Sequence, residues 1–348
     1  MPRLTLILSD LYLPQNSDGP PDRASLQLPN LNWLLRYAKR REVIGDWRTW
    51  LALEFGAAAL ARRPPAQAVA AKYFARLENA DDLASRAWLA TPVHLEARID
   101  HVRLSDRGFV HLSAAERVDL ATDFARHFNP DYSLFDVGSR GFLLVGNRAL
   151  QARSVDPARL LDMDVGESMP TGQDSGELRR VAAEIEMWLH RTQVNDVRDV
   201  AGQRRVSTLW LWGGDSPVHE TQLETAGAAM PRDTLTVHGD DPWLGAFAAH
   251  VGAGLEAVPM EFRKVDRNRS AVVELNPMTG DRRESLEHVE KHWFGPIRVA
   301  LTLGKLDSFE LVANDLRHRV GTRPDWRFWR RPAPWLARLW HRRPGAKA

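Results

Sequence analysis

The chain has 348 residues, 44% hydrophobic and 26% charged, the balance of a soluble globular protein with either two domains or one large core carrying a smaller insertion. It has no cysteine, which excludes disulfides, zinc-thiolate sites, iron–sulfur clusters and thiol nucleophiles and leaves oxygen and imidazole ligands for any metal. The net charge of +2 is unevenly spread: residues 321–348 hold eight basic side chains and one acidic one, so the body is mildly acidic and the tail is basic.

No run approaches the roughly 18 apolar residues of a membrane span, and Met1 to Asp10 lacks the pattern of a signal peptide, so a cytoplasmic location is expected. Leu4 to Leu8 is a short apolar, β-prone run ending at Ser9 and Asp10. This predicts a buried strand that delivers polar groups at its carboxyl end, where α/β sheets bind ligands.

After a Pro/Gly/Asp-rich loop from Pro14 to Arg23, the spacing of Leu31, Leu34, Leu35 and Ala38 predicts a helix over Pro29–Arg41. Further helices are expected near Trp47–Phe55 and Gln67–Leu77. From Trp88 to Leu104 the pattern alternates through Val93, Leu95 and Ala97, predicting strands and a change of sheet.

Ser113 and Glu116 carry a capping-box signature for a helix to about Phe128. Asp174 and Glu177 repeat it before an amphipathic helix to Gln193, with Leu178, Val181, Ile185, Trp188 and Leu189 on one face. Thr208–Trp212, ending in Gly213–Gly214, reads as a core strand running into a tight loop, with Trp210 and Trp212 as core rather than ligand platform. Thr234–Val237 and Asp241–Val251 form a strand and then a helix. Beyond Phe262, strands are expected at Ala271–Leu275, Ile297–Leu303 and Phe309–Val312.

Two blocks resemble a known superfamily. The opening strand with Asp10, followed by Leu28–Arg40, is similar to the strand that ends in a metal-binding Asp and the later helix start of alkaline-phosphatase relatives, with Leu28 and Asn32 where Thr and Asp are usual. The second block, Val194, Asn195, Arg198, Gly202 and then Ser207 to Gly214, resembles a segment of cofactor-independent phosphoglycerate mutases. With Thr91–Leu95 and Met169–Gly172, these blocks resemble the bacterial family of RpfE-type regulatory proteins over about residues 4–250.

The resemblance implies a mixed α/β sheet with helices on both faces, of the alkaline-phosphatase and phosphoglycerate-mutase type, with an inserted smaller α/β portion. The expected division is a discontinuous core of residues 1–80 and 190–320, an insertion of 81–189 and a tail of 321–348. Enzymes of that superfamily use two divalent ions to activate a Ser or Thr alkoxide, which demands several Asp and His ligands. Counting back from Phe55–Gly56 puts Trp47 at the nucleophile's place, with Thr49 the only hydroxyl nearby.

The late metal motif of the superfamily has no direct counterpart. His238 and Asp240, in His238–Pro242, are the nearest candidates but differ in order and spacing, and Asp10 is the one conspicuous ligand that survives. The resemblance therefore implies a catalytically degenerate, regulatory protein with no cofactor, which binds a small anionic ligand through Asn195, Arg198 and Asp10. The alternative role for Asn195 and Arg198 is to tie the helix–strand loop together, and for Asp10 to bind loop backbone. The rival reading is a divergent mutase or phosphatase using Mn or Mg.

His288 and His292, four apart near Glu287 and Glu290, read as a solvated helix face rather than a metal pair. In the tail, Arg327, Trp329, Arg330 and Arg331 belong to an interleaved Arg/Trp run suited to an acidic protein, anionic lipid or nucleic-acid partner. Trp326–Trp329 are expected to pack in grooves of the body, and the prolines leave room only for a short helix from Trp335.

Overall fold

A computed structural model describes residues 2–13, 26–43, 45–215, 235–266, 268–276, 282–324, 329–331 and 333–340. The expected loop from Pro14 to Arg23, Thr234, Trp326 and Arg327 lie outside the described residues. In chain order the elements are β1 (Arg3–Leu8), α1 (Pro29–Tyr37), β2 (Lys39–Glu42), α2 (Trp47–Glu54), α3 (Ala58–Arg62), α4 (Pro65–Tyr73) and α5 (Ala80–Ser85). Next come β3 (Ala87–Ala97), β4 (Val102–Phe109), α6 (Ala114–Phe128), β5 (Tyr132–Asp136), β6 (Phe142–Gly146), β7 (Met163–Asp164), α7 (Ser175–Leu189), α8 (Gln193–Val200) and β8 (Thr208–Trp212). The chain closes with β9 (Leu235–His238), α9 (Pro242–Val251), β10 (Gly254–Glu256), β11 (Ser270–Leu275), α10 (Arg282–Val289), α11 (Gly295–Thr302), β12 (Ser308–Ala313), β13 (Leu316–Gly321) and α12 (Trp335–Leu339).

The protein is mixed α/β with two sheets, divided between two compact units. The first comprises residues 1–51, 228–239 and 251–348; the second, 52–227 and 240–250. This division differs from the expected one chiefly because residues 52–80 and β8 belong with the second unit.

In the first unit a seven-stranded sheet runs β10-β9-β11-β1-β12-β13-β2. The strands from β10 to β12 are parallel, and β13 and β2 close the sheet antiparallel. Strand β1 is central: Leu4–Leu8 pair with Ala271–Leu275, and Arg3–Ile7 with Ser308–Val312. A continuous apolar run suits such a strand, because both of its faces are covered. Leu4, Leu6 and Leu8 pack with Leu31, Leu34 and Leu35 of α1, Ile297 and Leu301 of α11, and Trp335 and Leu339 of α12.

Helix α1 stops at Tyr37, four residues short of expectation. Ala38 turns extended, and Lys39–Glu42 pair with β13 instead. The far end of α1 is capped from a distance: the carboxylate of Glu290 accepts the backbone N–H groups of Asn30 (2.6 Å) and Leu31 (3.1 Å), a service that Leu28 at the N-cap does not provide. Glu290 reaches there from a single π-helical turn, Glu290–Phe294.

The expected strand at Ile297–Leu303 is a helix. Pro296 sits in its first turn, and Ile297, Ala300 and Leu301 are buried at helical spacing.

In the second unit, β3 is the hub of the other sheet, pairing antiparallel with β4, β6 and β8, while β5 flanks β6 and β7 flanks β4. Helix α6 carries both halves of its capping box, Glu116 N–H to Ser113 Oγ at 3.2 Å and Ser113 N–H to Glu116 Oε2 at 2.7 Å. The expected face of α7 is buried, but Asp174 does not cap it. Its carboxylate accepts the N–H of Gln151 at 2.7 Å and faces Arg148 instead.

Trp210 and Trp212 are core, their indoles donating to Val155 O and Thr91 Oγ1 at 2.9 Å each. Among the described residues no helix is long and apolar enough to cross a membrane.

Buried His318 on β13 makes the first unit sensitive to acid. Burial, then the Arg40 guanidinium, depress its pKa to about 4. The folded state holds it neutral while the unfolded imidazole takes a proton near pH 6.5, so its contribution is complete above pH 6.5 and is lost as pH falls towards 4. Between pH 7 and pH 4 the native protein should lose roughly 3 kcal/mol more than His318→Leu in urea unfolding. Parallel pH profiles for the two proteins would contradict this.

Candidate functional site

The parallel register brings the carboxyl ends of β9, β11, β1 and β12 to one edge of the first unit's sheet. They present His238–Gly239, Leu275–Asn276, Ser9–Asp10 and Ala313–Asn314 there. Such an edge is where open α/β sheets bind ligands. The Ser9 N–H donates to Leu275 O at 3.1 Å, and its hydroxyl donates to the fully buried carboxylate of Glu274.

Asp10 is buried beside them, and its carbonyl accepts the Tyr12 N–H at 3.0 Å. Asn314 accepts from Leu13 N–H at 3.1 Å and donates to Leu339 O at 2.7 Å, fixing the loop that leaves β1.

Helix α2 opens with Asp46, whose Oδ1 accepts the Thr49 N–H at 2.8 Å. Trp47, Arg48 and Thr49 are all buried. The Arg48 guanidinium lies 4.4 Å from the Trp47 ring centroid and 3.8 Å from the Asp46 carboxylate. A cation in the first turn opposes the helix dipole, and Asp46 offsets it. The place expected for an attacking hydroxyl thus holds a buried indole stacked with a cation.

The other candidates have partners of their own. His238 is buried with Nδ1 3.2 Å from Ala257 O and 3.7 Å from the Glu256 carboxylate. Asp240 instead accepts from Ser139 Oγ at 2.8 Å and Arg140 Nε at 2.7 Å, on the turn between β5 and β6. That turn requires Gly141, at φ +127°, where a Cβ would stand 2.5 Å from Ala90 O. Burial works to raise the Asp240 carboxyl, but Arg140 and Ser139 outweigh it and hold it below its usual value. Beside this cluster, burial and then Arg140 lower the pKa of His111.

His288 and His292 stack at 4.5 Å, with His288 Nε2 3.2 Å from Met260 O. The neighbouring carboxylates serve Arg283 and the start of α1. Among the described residues no three His, Asp or Glu side chains converge as a metal ion would need.

Asn195 and Arg198, in the second unit, are tied into the scaffold. The Asn195 amide donates to Leu189 O (2.8 Å) and Val206 O (3.0 Å) and accepts from Val206 N–H (2.8 Å), which uses both of its donors. Arg198 donates to Arg204 O and Glu116 Oε1 at 2.6 Å each. Burial works to raise Glu116, but hydrogen bonds from Ser113 and Arg198 prevail and lower its pKa. These bonds span the α8–β8 loop and, through Glu116, reach the start of α6.

In the tail, Trp329 is 60% exposed rather than seated in a groove, and among the described residues Trp335 is buried. Arg330 caps the end of α1, donating to Ala38 O (2.7 Å) and Arg36 O (3.2 Å), and Arg331 is exposed. Sequence reading missed Glu274 and Glu310. The signal was present, a lone acid inside each of the apolar strands Ala271–Leu275 and Phe309–Ala313.

No protein-family model matches the chain, and no curated protein matches it. Among solved structures it is similar to the cofactor-independent phosphoglycerate mutase from Thermoplasma acidophilum DSM 1728, with 14% identity over 92% of this chain and 89% of that one and a TM-score of 0.37. It is also similar to the PH0037 protein from Pyrococcus horikoshii, with 13% identity over 97% of this chain and 91% of that one and a TM-score of 0.46.

Removing the Asn195 amide takes the side-chain partner from both the N–H and the carbonyl of Val206, while Leu189 O keeps its bonds from Thr192. Asn195→Ala should therefore lower stability by about 2 kcal/mol, read from the urea midpoint. Unchanged stability together with a lost affinity for inorganic phosphate would instead make Asn195 a ligand contact.

Proposed function

We propose that this chain is a catalytically degenerate phosphoglycerate-mutase-like protein of the RpfE type, with a regulatory role. The observation that carries the reading is the amino end of α2, where sequence counting expects the nucleophile and the chain has buried Trp47 under Arg48. An indole cannot attack phosphorus, and the nearest hydroxyl-bearing residue, Thr49, is buried in the same turn.

The fit to a pair of divalent ions is poor. Such a centre needs several oxygen and imidazole ligands. Here the Ser9 hydroxyl is turned onto Glu274, His238 faces Ala257 O, and Asp240 faces Arg140. Binding of a small anion through Arg198 and Asn195 would require opening the bonds that hold the α8–β8 loop, so the non-catalytic part of the reading has more support than that ligand site.

The rival, a divergent Mn- or Mg-dependent mutase or phosphatase, draws its support from Ser9, Asp10 and Glu274 at the ligand-binding edge of the sheet. The two readings separate on purified full-length protein incubated with manganese or magnesium. Degeneracy predicts less than one bound ion per chain by elemental analysis, and no turnover of phosphoglycerate or p-nitrophenyl phosphate above buffer. Two ions per chain with a turnover abolished by Asp10→Ala would establish the rival.

A further inference from the structure

The antiparallel margin of the first unit's sheet sets like charges against each other. Strand β2 is an edge strand whose four residues, Lys39–Glu42, are all exposed. Its register with β13 places Arg41 opposite Arg317 and Lys39 opposite Arg319, while Arg40 faces His318. Directly opposed residues share a face, and like charges there destabilise the pairing. The acid at this margin is Glu310 of β12, 3.5 Å from Arg317 and opposite Arg319 in the register. Among the described residues Lys39, Arg40, Arg41 and Arg319 have no ion-pair partner.

On the other face of the strand, around Arg40, more arginines gather. Arg36 and Arg330 exchange backbone hydrogen bonds just before β2 begins, at 2.6 Å and 3.2 Å. Arg338 joins them, held below the usual guanidinium range by burial and then by Arg330, Arg36 and Arg40. Lysines and arginines on an edge strand protect it from pairing with another chain. That purpose explains the cations of β2, and buried Glu310 opposite Arg319 gives that arginine a counter-charge, but neither accounts for the accumulation of arginines beside the edge.

We infer that β2 and β13 form a binding surface for the phosphate backbone of a nucleic acid, read without regard to sequence. Cations two residues apart on a strand lie roughly 6.7 Å apart, a row that can track the phosphates of a single strand as basic grooves do. The β2 residues are all charged and offer no apolar side chain to enter a lipid headgroup layer, as a membrane-surface binder requires. Trp329, exposed one residue before Arg330, adds an aromatic side chain next to that arginine in the chain. The surface is separate from the strand-end site and does not depend on whether that site is catalytic.

The experiment uses the full chain and fluorescein-labelled 30-nucleotide single-stranded DNA, followed by anisotropy from 50 to 300 mM KCl. A triple variant, Lys39→Gln, Arg41→Gln and Arg319→Gln, is compared with Arg62→Gln, Arg76→Gln and Arg126→Gln, an equal charge change in the second unit. The first triple variant should bind at least about tenfold more weakly at 100 mM salt, with a log–log salt slope shallower by roughly 2. Its melting temperature should be unchanged or raised, because opposed like charges have been removed, and the control triple should bind as the native chain does.

Three outcomes would overturn the inference: absence of salt-sensitive binding by the native chain, equal loss in both triple variants, or loss confined to phosphatidylserine vesicles. The last would assign the surface to anionic lipid.

Discussion

The fold depends on one constraint: β1 must be paired along both sides and covered on both faces. Six residues at the start of the chain, Arg3–Leu8, find their partners at 271–275 and 308–312, more than 260 positions away. A strand so placed leaves no backbone group for water, so each of its side chains must be either apolar or neutralised. Leu4, Leu6 and Leu8 meet the first condition against α1 and α11. On the opposite face the register sets Thr5 beside Glu310, which is fully buried and lies between Arg3 and Arg317. Removing either arginine would leave a buried charge partly uncompensated, so this ion cluster fixes the register at a cost that apolar residues would not incur.

The same constraint fixes where chemistry can occur. With β1 in the middle, Ser9 and Asp10 emerge at the carboxyl edge beside Glu274 and Asn314, the position that nucleotide- and phosphate-handling sheets use. The polar groups here are turned on one another, hydroxyl to carboxylate and amide to backbone. The helix start in the same unit, at Trp47–Thr49, is packed like a core. Packing, rather than chemistry at this edge, holds the strands in register, so the fold by itself fixes no activity.

Legibility followed burial. The strand at Leu4–Leu8 and the apolar face of α7 were readable because each couples a local signal to an interior position, and the exposed capping box of Ser113 and Glu116 because its signal is wholly local. Helix α1 was overextended because Ala38 keeps the helical spacing, while the cations after it are claimed by β13. β13 itself went unseen, since Leu316, His318 and Val320 alternate with arginines and glycine in a run too polar to stand out. The apolar stretch from Ile297 was misread as a strand because β-branched content was weighed above Pro296 and the buried 297, 300 and 301 spacing. At the site, Asp10, Asn195 and Arg198 were legible as polar residues in special places, but whether such a group faces a ligand or a carbonyl is a tertiary property.

Hydrogen exchange on the intact chain tests the central claim most directly, because a strand paired on both sides cannot open without the sheet opening with it. The account predicts that the amides of Leu6 and Ile7 exchange among the slowest in the protein, and in step with Val272–Leu275 and Leu311. Rapid exchange of residues 4–8 while 271–275 stay protected would show that β1 is not the strand on which the sheet is built.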